Sequence, residues 1–213
     1  MKERPILFSG PMIRALLDGT KTQTRRVVKP QPRPGTKLVG IPEGWTEDPA
    51  APDSDGNVTG WRCPYGQPGD RLWVRETFNG DPSRGIGYAY RATQPEMDGC
   101  PWVPSIHMPR AASRITLEIT AVRVERLNKI TKEDALSEGI ERRPCDCAHD
   151  GMLREVCPHS EYKTHFKDYA DKENLSVVTP GYSFLSLWES INGPGSYHAN
   201  PWVWVVEFKR VMP

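Results

Sequence analysis

From Ser113 to Arg126 the chain alternates apolar and polar residues and then changes phase, and no other feature limits the possible fold as strongly. Ile115, Leu117, Ile119 and Ala121 share one face of an extended chain, whereas Val122 and Val124 fall on the other. A straight strand cannot bury both sets against one core. One extra residue restores the pattern, so a β-bulge is predicted near Ala121–Val122. A bulged strand bends, and a bent strand of this length predicts a sheet that curls.

The other elements read as short pieces around that strand. Ile6-Leu7-Phe8 is an apolar strand, and Ser9-Gly10-Pro11 opens a helix with proline at a favoured first position. Met12, Ile13, Leu16 and Leu17 give it helical spacing, and Gly19 stops it. Thr20 to Val28 reads as extended. Leu72 and Val74 alternate with polar or amphipathic neighbours in a strand within Gly69–Thr77, and a short strand is predicted at Gly87–Arg91. Thr131-Lys132-Glu133-Asp134 has the form of a capping box, with a short helix ending at Gly139. Tyr162, Phe166 and Tyr169 suggest an amphipathic helix. Phe184, Leu187, Trp188 and Ile191 form a second helical stripe closed by Gly193, and Trp202 to Phe208 is the last strand. Strands therefore dominate.

Composition limits the function classes. Among 213 residues, 37% are hydrophobic and seven Trp, seven Tyr and five Phe supply core bulk, enough for one large domain. The 21 Pro and 18 Gly predict long irregular insertions at about 30–68, 79–112 and 140–181. No apolar run approaches the ~20 residues of a membrane helix, and the N-terminus lacks a secretory pattern, so the expectation is a cytoplasmic protein with no membrane partner. A net charge of +1 argues against a bulk polyanion binder. Charge is nevertheless uneven: residues 1–33 carry eight basic and two acidic side chains, and residues 41–60 carry five acids and no base. The basic stretch is either a solvated face or a site for a small anion or nucleotide.

Gly19-Thr20-Lys21-Thr22-Gln23-Thr24-Arg25-Arg26 resembles the G-x-K-T-x-T-x-R signature of ASCH domains, members of the PUA-like superfamily. Pro68-Gly69-Asp70-Arg71-Leu72-Trp73-Val74, Leu117 to Val122 with the helix to Gly139, and Trp204 to Phe208 resemble three further family segments in the same order. Together they cover about half of the chain. The resemblance implies an α+β, mainly β fold, a small mixed PUA-like barrel with short helices. It also implies an amidohydrolase that removes the acyl group from N(4)-acylated cytosine or cytidine. The family's Lys, Thr and Glu fall on Lys21, Thr24 and Glu138. Its small-molecule partner would be a nucleoside or nucleobase; a non-catalytic RNA or modified-nucleotide module and a ribonuclease are the alternatives.

The residues bear on that chemistry independently. Lys21 and Thr24 are three apart, so an ideal strand points them to opposite sides, and they converge only if the backbone kinks after Gly19. Thr24 would be the nucleophile and Lys21 its base, helped by burial and by the cations Arg25 and Arg26. Glu138 lies in the last turn of a helix, where the dipole disfavours a carboxylate, a position that makes sense opposite a cation such as Lys21. Arg26, Trp73 and Glu76 are candidates for holding substrate. Arg26 would grip an oxygen or pair with Glu76 or Glu207, and Trp73, Tyr88, Tyr90, Trp102 and Trp188 are candidates to stack on a base. No cofactor is expected in catalysis. Cys145, Cys147, Cys157 and His159 offer a structural zinc site within the third insertion, the alternative being unligated reduced thiols.

Overall fold

The computed structural model describes residues 1–31, 63–81, 85–95, 101–143, 165–170, 176–177 and 179–211. Their core is a five-stranded sheet built from β1 (Glu3–Leu7), β2 (Gln23–Val27), β3 (Arg71–Arg75), β6 (Thr116–Arg126) and β10 (Trp202–Val211) in the order β1-β3-β6-β10-β2. Only β1 and β3 run parallel; the other neighbours are antiparallel. The phase change in β6 is a real bulge. Ile119 pairs with Phe208 and Ala121 with Glu207, leaving Thr120 as the extra residue. Leu117 and Ile119 before it and Val122 after it are all buried, as the alternation requires.

The sheet curls without closing. Helix α1 (Gly10–Leu17) connects the two edge strands, and Arg26 of β2 donates to the Leu7 carbonyl at the end of β1 at 2.6 Å. Among the described residues no backbone ladder joins β1 to β2. The expected barrel is thus corrected to an open sheet within a mixed α+β fold. Its seam is spanned by side chains, Phe8 packing on Phe208 with ring centroids 6.3 Å apart. That gap is where a cavity forms.

Helix α1 buries Met12, Ile13, Ala15 and Leu16 and ends at Gly19, whose φ of +74° suits glycine. Helix α2 (Lys132–Ser137) starts with a complete capping box. The Thr131 hydroxyl accepts from the Asp134 N–H and the Asp134 carboxylate from the Thr131 N–H. Helix α3 (Pro180–Asn192) buries Phe184, Leu187 and Trp188 against the core, but the last residue of its predicted stripe, Ile191, is exposed. A hairpin of β4 (Phe78–Asp81) and β5 (Ile86–Tyr90) flanks the sheet, its pairing shifted between Asn79 and Asp81. It covers a small second core of Phe78, Met108 and Ala112.

The helix expected around Phe166 is absent. β8 (His165–Lys167) instead lies between β7 (Arg142–Arg143) and β9 (Ser176–Val177) in a three-stranded sheet. Phe166 is buried there in the main core and Tyr169 packs against it. Burial that the helical spacing suggested is achieved with strand hydrogen bonds. Most of the first and third predicted insertions, and all four candidate zinc ligands, lie outside the described residues. No helix among the described residues is long and apolar enough to cross a membrane.

Candidate active site

Residues 19–22 turn between α1 and β2 and set the geometry. The Thr20 and Lys21 amides both donate to the Ala15 carbonyl, at 2.9 and 3.1 Å, and the Thr22 amide donates to Ser137 at the end of α2, at 2.9 Å. The strand begins only at Gln23. This turn supplies the kink that the Lys21–Thr24 spacing demands. Both side chains, with Arg26 and Glu138, line one cavity of about 700 Å³ at the open seam.

Lys21 is 3% exposed, and all three of its N–H donors are engaged. They reach the Gln23 carbonyl at 2.8 Å, the Glu138 carbonyl at 2.8 Å and Glu138 Oε2 at 3.1 Å. The ammonium therefore caps the C-terminus of α2, which explains why a carboxylate is tolerated there. Burial pushes the Lys21 pKa down; the Glu138 carboxylate opposes the fall, and Arg26 and Arg25 add to it. The net direction is below the ordinary lysine value. Close packing enforces the position. A Cβ on Gly139, whose φ is +78°, would lie 2.7 Å from the Lys21 Cβ and 2.8 Å from the Ala15 Cβ.

Thr24 is 4% exposed and pairs with Val206 of β10. Its side chain makes no hydrogen bond among the described residues, so its hydroxyl is uncommitted in a cavity that the fully committed Lys21 also lines. Glu138 gives its second oxygen, Oε1, to Arg25 at 3.3 Å. Arg25 has no exposed side-chain surface and also holds Glu125 at 2.6 Å and Asp134 at 2.9 Å. Arg123 closes the network by bonding Glu125, Asp134 and Glu207. Burial would raise the Asp134 carboxyl, but Arg25, the Thr131 amide, Gln23 and Arg123 outweigh it and hold the pKa below the usual range.

Comparisons of this chain with protein-family models, with curated proteins and with solved structures find no match.

The cavity walls combine aromatic and aliphatic surface with a polar side that is rich in cations, Lys21, Arg25, Arg26 and Lys29 against the single carboxylate of Glu138 among the described residues. Phe8, Tyr65, Phe184, Trp188 and Trp204 line it, and Arg26 lies 5.3 Å from the Phe8 ring centroid. The Trp188 indole nitrogen has no hydrogen-bond partner among the described residues. Arg26 reaches neither Glu76 nor Glu207; its partner is the Leu7 carbonyl.

Two of the residues expected to hold substrate are elsewhere. Trp73 is buried at 9% exposure, with the Arg75 guanidinium 4.8 Å from its ring centroid, and does not line the cavity. Glu76 is 2% exposed and bound through both oxygens by Arg114 at 2.8 and 2.9 Å. Both sit at β3, two strands away from β10 and separated from β2 by it. Phe8, Tyr65 and Trp204 escaped the sequence reading. Trp204 is opposite Arg26 in the β10–β2 register, a signal visible only after pairing is known. Tyr65 lies in a Pro/Gly-rich turn with no periodicity to mark it.

Proposed function

We propose that this chain is an ASCH-type, PUA-like amidohydrolase that removes the acyl group from N(4)-acylated cytosine or cytidine. One observation carries the reading: Lys21, Thr24 and Arg26 of the signature stretch and Glu138 of the short helix line a single cavity walled in part by aromatic rings. A cavity of this size, with aromatic walls on one side and polar groups on the other, suits a planar base and a sugar.

The chemistry follows from who holds which proton. Lys21 becomes a base by passing one proton across the 3.1 Å contact to Glu138, which turns a buried ion pair into a neutral pair. The freed amine then accepts the Thr24 hydroxyl proton as Oγ1 attacks the amide carbon. Arg26 stabilises the oxyanion. The bond between that carbon and N(4) breaks, Glu138 returns its proton to the leaving nitrogen, and cytidine departs. Water then splits the Thr24 ester in the same way, releasing the carboxylic acid.

The phosphate-binding alternative would rely on Arg25 and Arg26; three carboxylates enclose Arg25, so that reading falls to Arg26, which lines the cavity and bonds the Leu7 carbonyl. Incubation with N(4)-acetylcytidine should release cytidine, followed by the ultraviolet shift. Lys21→Ala and Thr24→Ala should each lower turnover by about 10²–10⁴-fold. Silence of the unaltered protein toward a panel of acylated cytidines, or full turnover by both variants, would refute the reading.

A further inference from the structure

We propose that Arg25 is a positioning residue that sets the proton inventory of the Lys21–Glu138 pair. The inference rests on the amidohydrolase reading for its kinetic consequence, though not for its electrostatic one. Arg25 bonds the Glu138 oxygen that Lys21 does not use, and it does so from a site with no exposed side-chain surface. Its other contacts fix the guanidinium from two directions. Glu125 of β6 holds it at 2.6 Å, and Asp134, the capping-box residue in the first turn of α2, at 2.9 Å. One side chain thus ties together the start of α2, its C-terminal residue and the central strand. Phe184 of α3 closes the site, its ring centroid 6.0 Å from the Arg25 guanidinium.

The charged and titratable groups around the pair are Arg25 and Arg26 from β2, Arg123 and Glu125 from β6, Asp134 from α2, and Lys29 and Tyr65, which line the same cavity. Glu207 from β10 acts through Arg123, and the Tyr197 phenol feels Arg25. The pair can carry two, one or no mobile protons, with net charge +1, 0 or −1. Only the one-proton state can divide its proton in both ways that the reaction needs. A neighbouring cation disfavours the +1 state and favours the −1 state, so Arg25 lowers both titration steps of the pair. Glu125 and Asp134 draw on the same guanidinium and temper that effect. Arg26 weighs on Lys21 more than Arg25 does and also feels the Glu138 charge, but it bonds the Leu7 carbonyl, so the direct bond to Glu138 is what distinguishes Arg25.

Opposite shifts in two variants test this. In Arg25→Gln, both limbs of the pH–rate profile for N(4)-acetylcytidine should move up by about one pH unit or more. In Glu125→Gln, which leaves Arg25 facing one carboxylate fewer, both limbs should move down. Arg25→Lys keeps the charge but loses the planar fork, so kcat should fall roughly tenfold with the limbs in place. Lysine-labelled nuclear magnetic resonance of Lys21 reads the same titration without turnover and separates the two hypotheses. A protein that hydrolyses nothing but shows the opposite Lys21 shifts sinks the amidohydrolase reading and keeps this one. Limbs and Lys21 titration unmoved in folded Arg25→Gln and Glu125→Gln would overturn it, leaving Arg25 a structural tie only.

Discussion

Glu76 and Glu138 are both buried carboxylates bound by arginine, at the end of β3 and the end of α2 respectively. Glu76 gives both oxygens to Arg114, which stacks 4.0 Å from the Tyr90 ring centroid, and it borders no part of the seam cavity. Glu138 divides its oxygens between Lys21 and Arg25 and borders the cavity that an uncommitted hydroxyl also lines. The first pair joins a carboxylate to a guanidinium, which holds its protons too tightly to pass one on. The second has a cation that burial pushes toward neutrality and a carboxylate within 3.1 Å to receive its proton. Burial and charge pairing are common to both. What separates the two is the kind of cation each carboxylate meets and the open space beside the second.

The sharpest contrast comes from removing one cation from each region. Lys21→Met should cost about 10²–10⁴-fold in turnover. Arg114→Met should leave the seam cavity and its turnover intact but strand the Glu76 charge, costing about 3–5 kcal/mol of stability in a denaturant titration. Equal loss of turnover in the two variants would erase the distinction.

Glycines refine it. Gly139→Ala meets both a φ of +78° and a 2.7 Å overlap with the Lys21 Cβ. It should cost about 2 kcal/mol or more and depress turnover with it. Gly193→Ala, with φ of +95° and ψ of 158° in a region essentially confined to glycine but nothing within 4 Å, should cost about 1–3 kcal/mol from backbone strain and leave turnover alone. A smaller effect is expected at the other end of α2, where Thr131→Ala removes the capping box and about 1 kcal/mol. Thermal melting measures all three.

The least of the effects is in pH. The Asp134 pKa is depressed in the folded state, so its stabilisation is complete above the unfolded Asp value and drains as pH falls through the folded value. Asp134→Asn should flatten that part of the acid-side stability curve. An unchanged curve would show that the Arg25 and Arg123 contacts to this carboxylate carry no net coupling.

How far these regions could be read beforehand differs for physical reasons. Thr131, Gly139 and the stripe Phe184–Leu187–Trp188 announce themselves because capping, left-handed glycine and helical burial are local rules. The β6 bulge is legible to within a residue or two, since a change of phase in a period-two pattern needs an extra residue. Phe166 misled, because spacing of i, i+4 and i+7 records which side chains are buried, not which backbone bonds bury them. Trp73 and Glu76 misled because they stand beside a strand whose neighbours in space are unknown until the sheet order is.

Sequence alone determined that strands dominate, that β6 must bulge, that Lys21 and Thr24 needed a kink to meet, and that Glu138 stands at a helix end that disfavours a carboxylate. Those are consequences of bonding within a few residues. Tertiary structure decided that the sheet stays open, that α2 ends against Lys21, and that Arg25 is shared among Glu125, Asp134 and Glu138. Such choices depend on which distant segments pack together, and a charge acquires its partner and its dielectric only when they do.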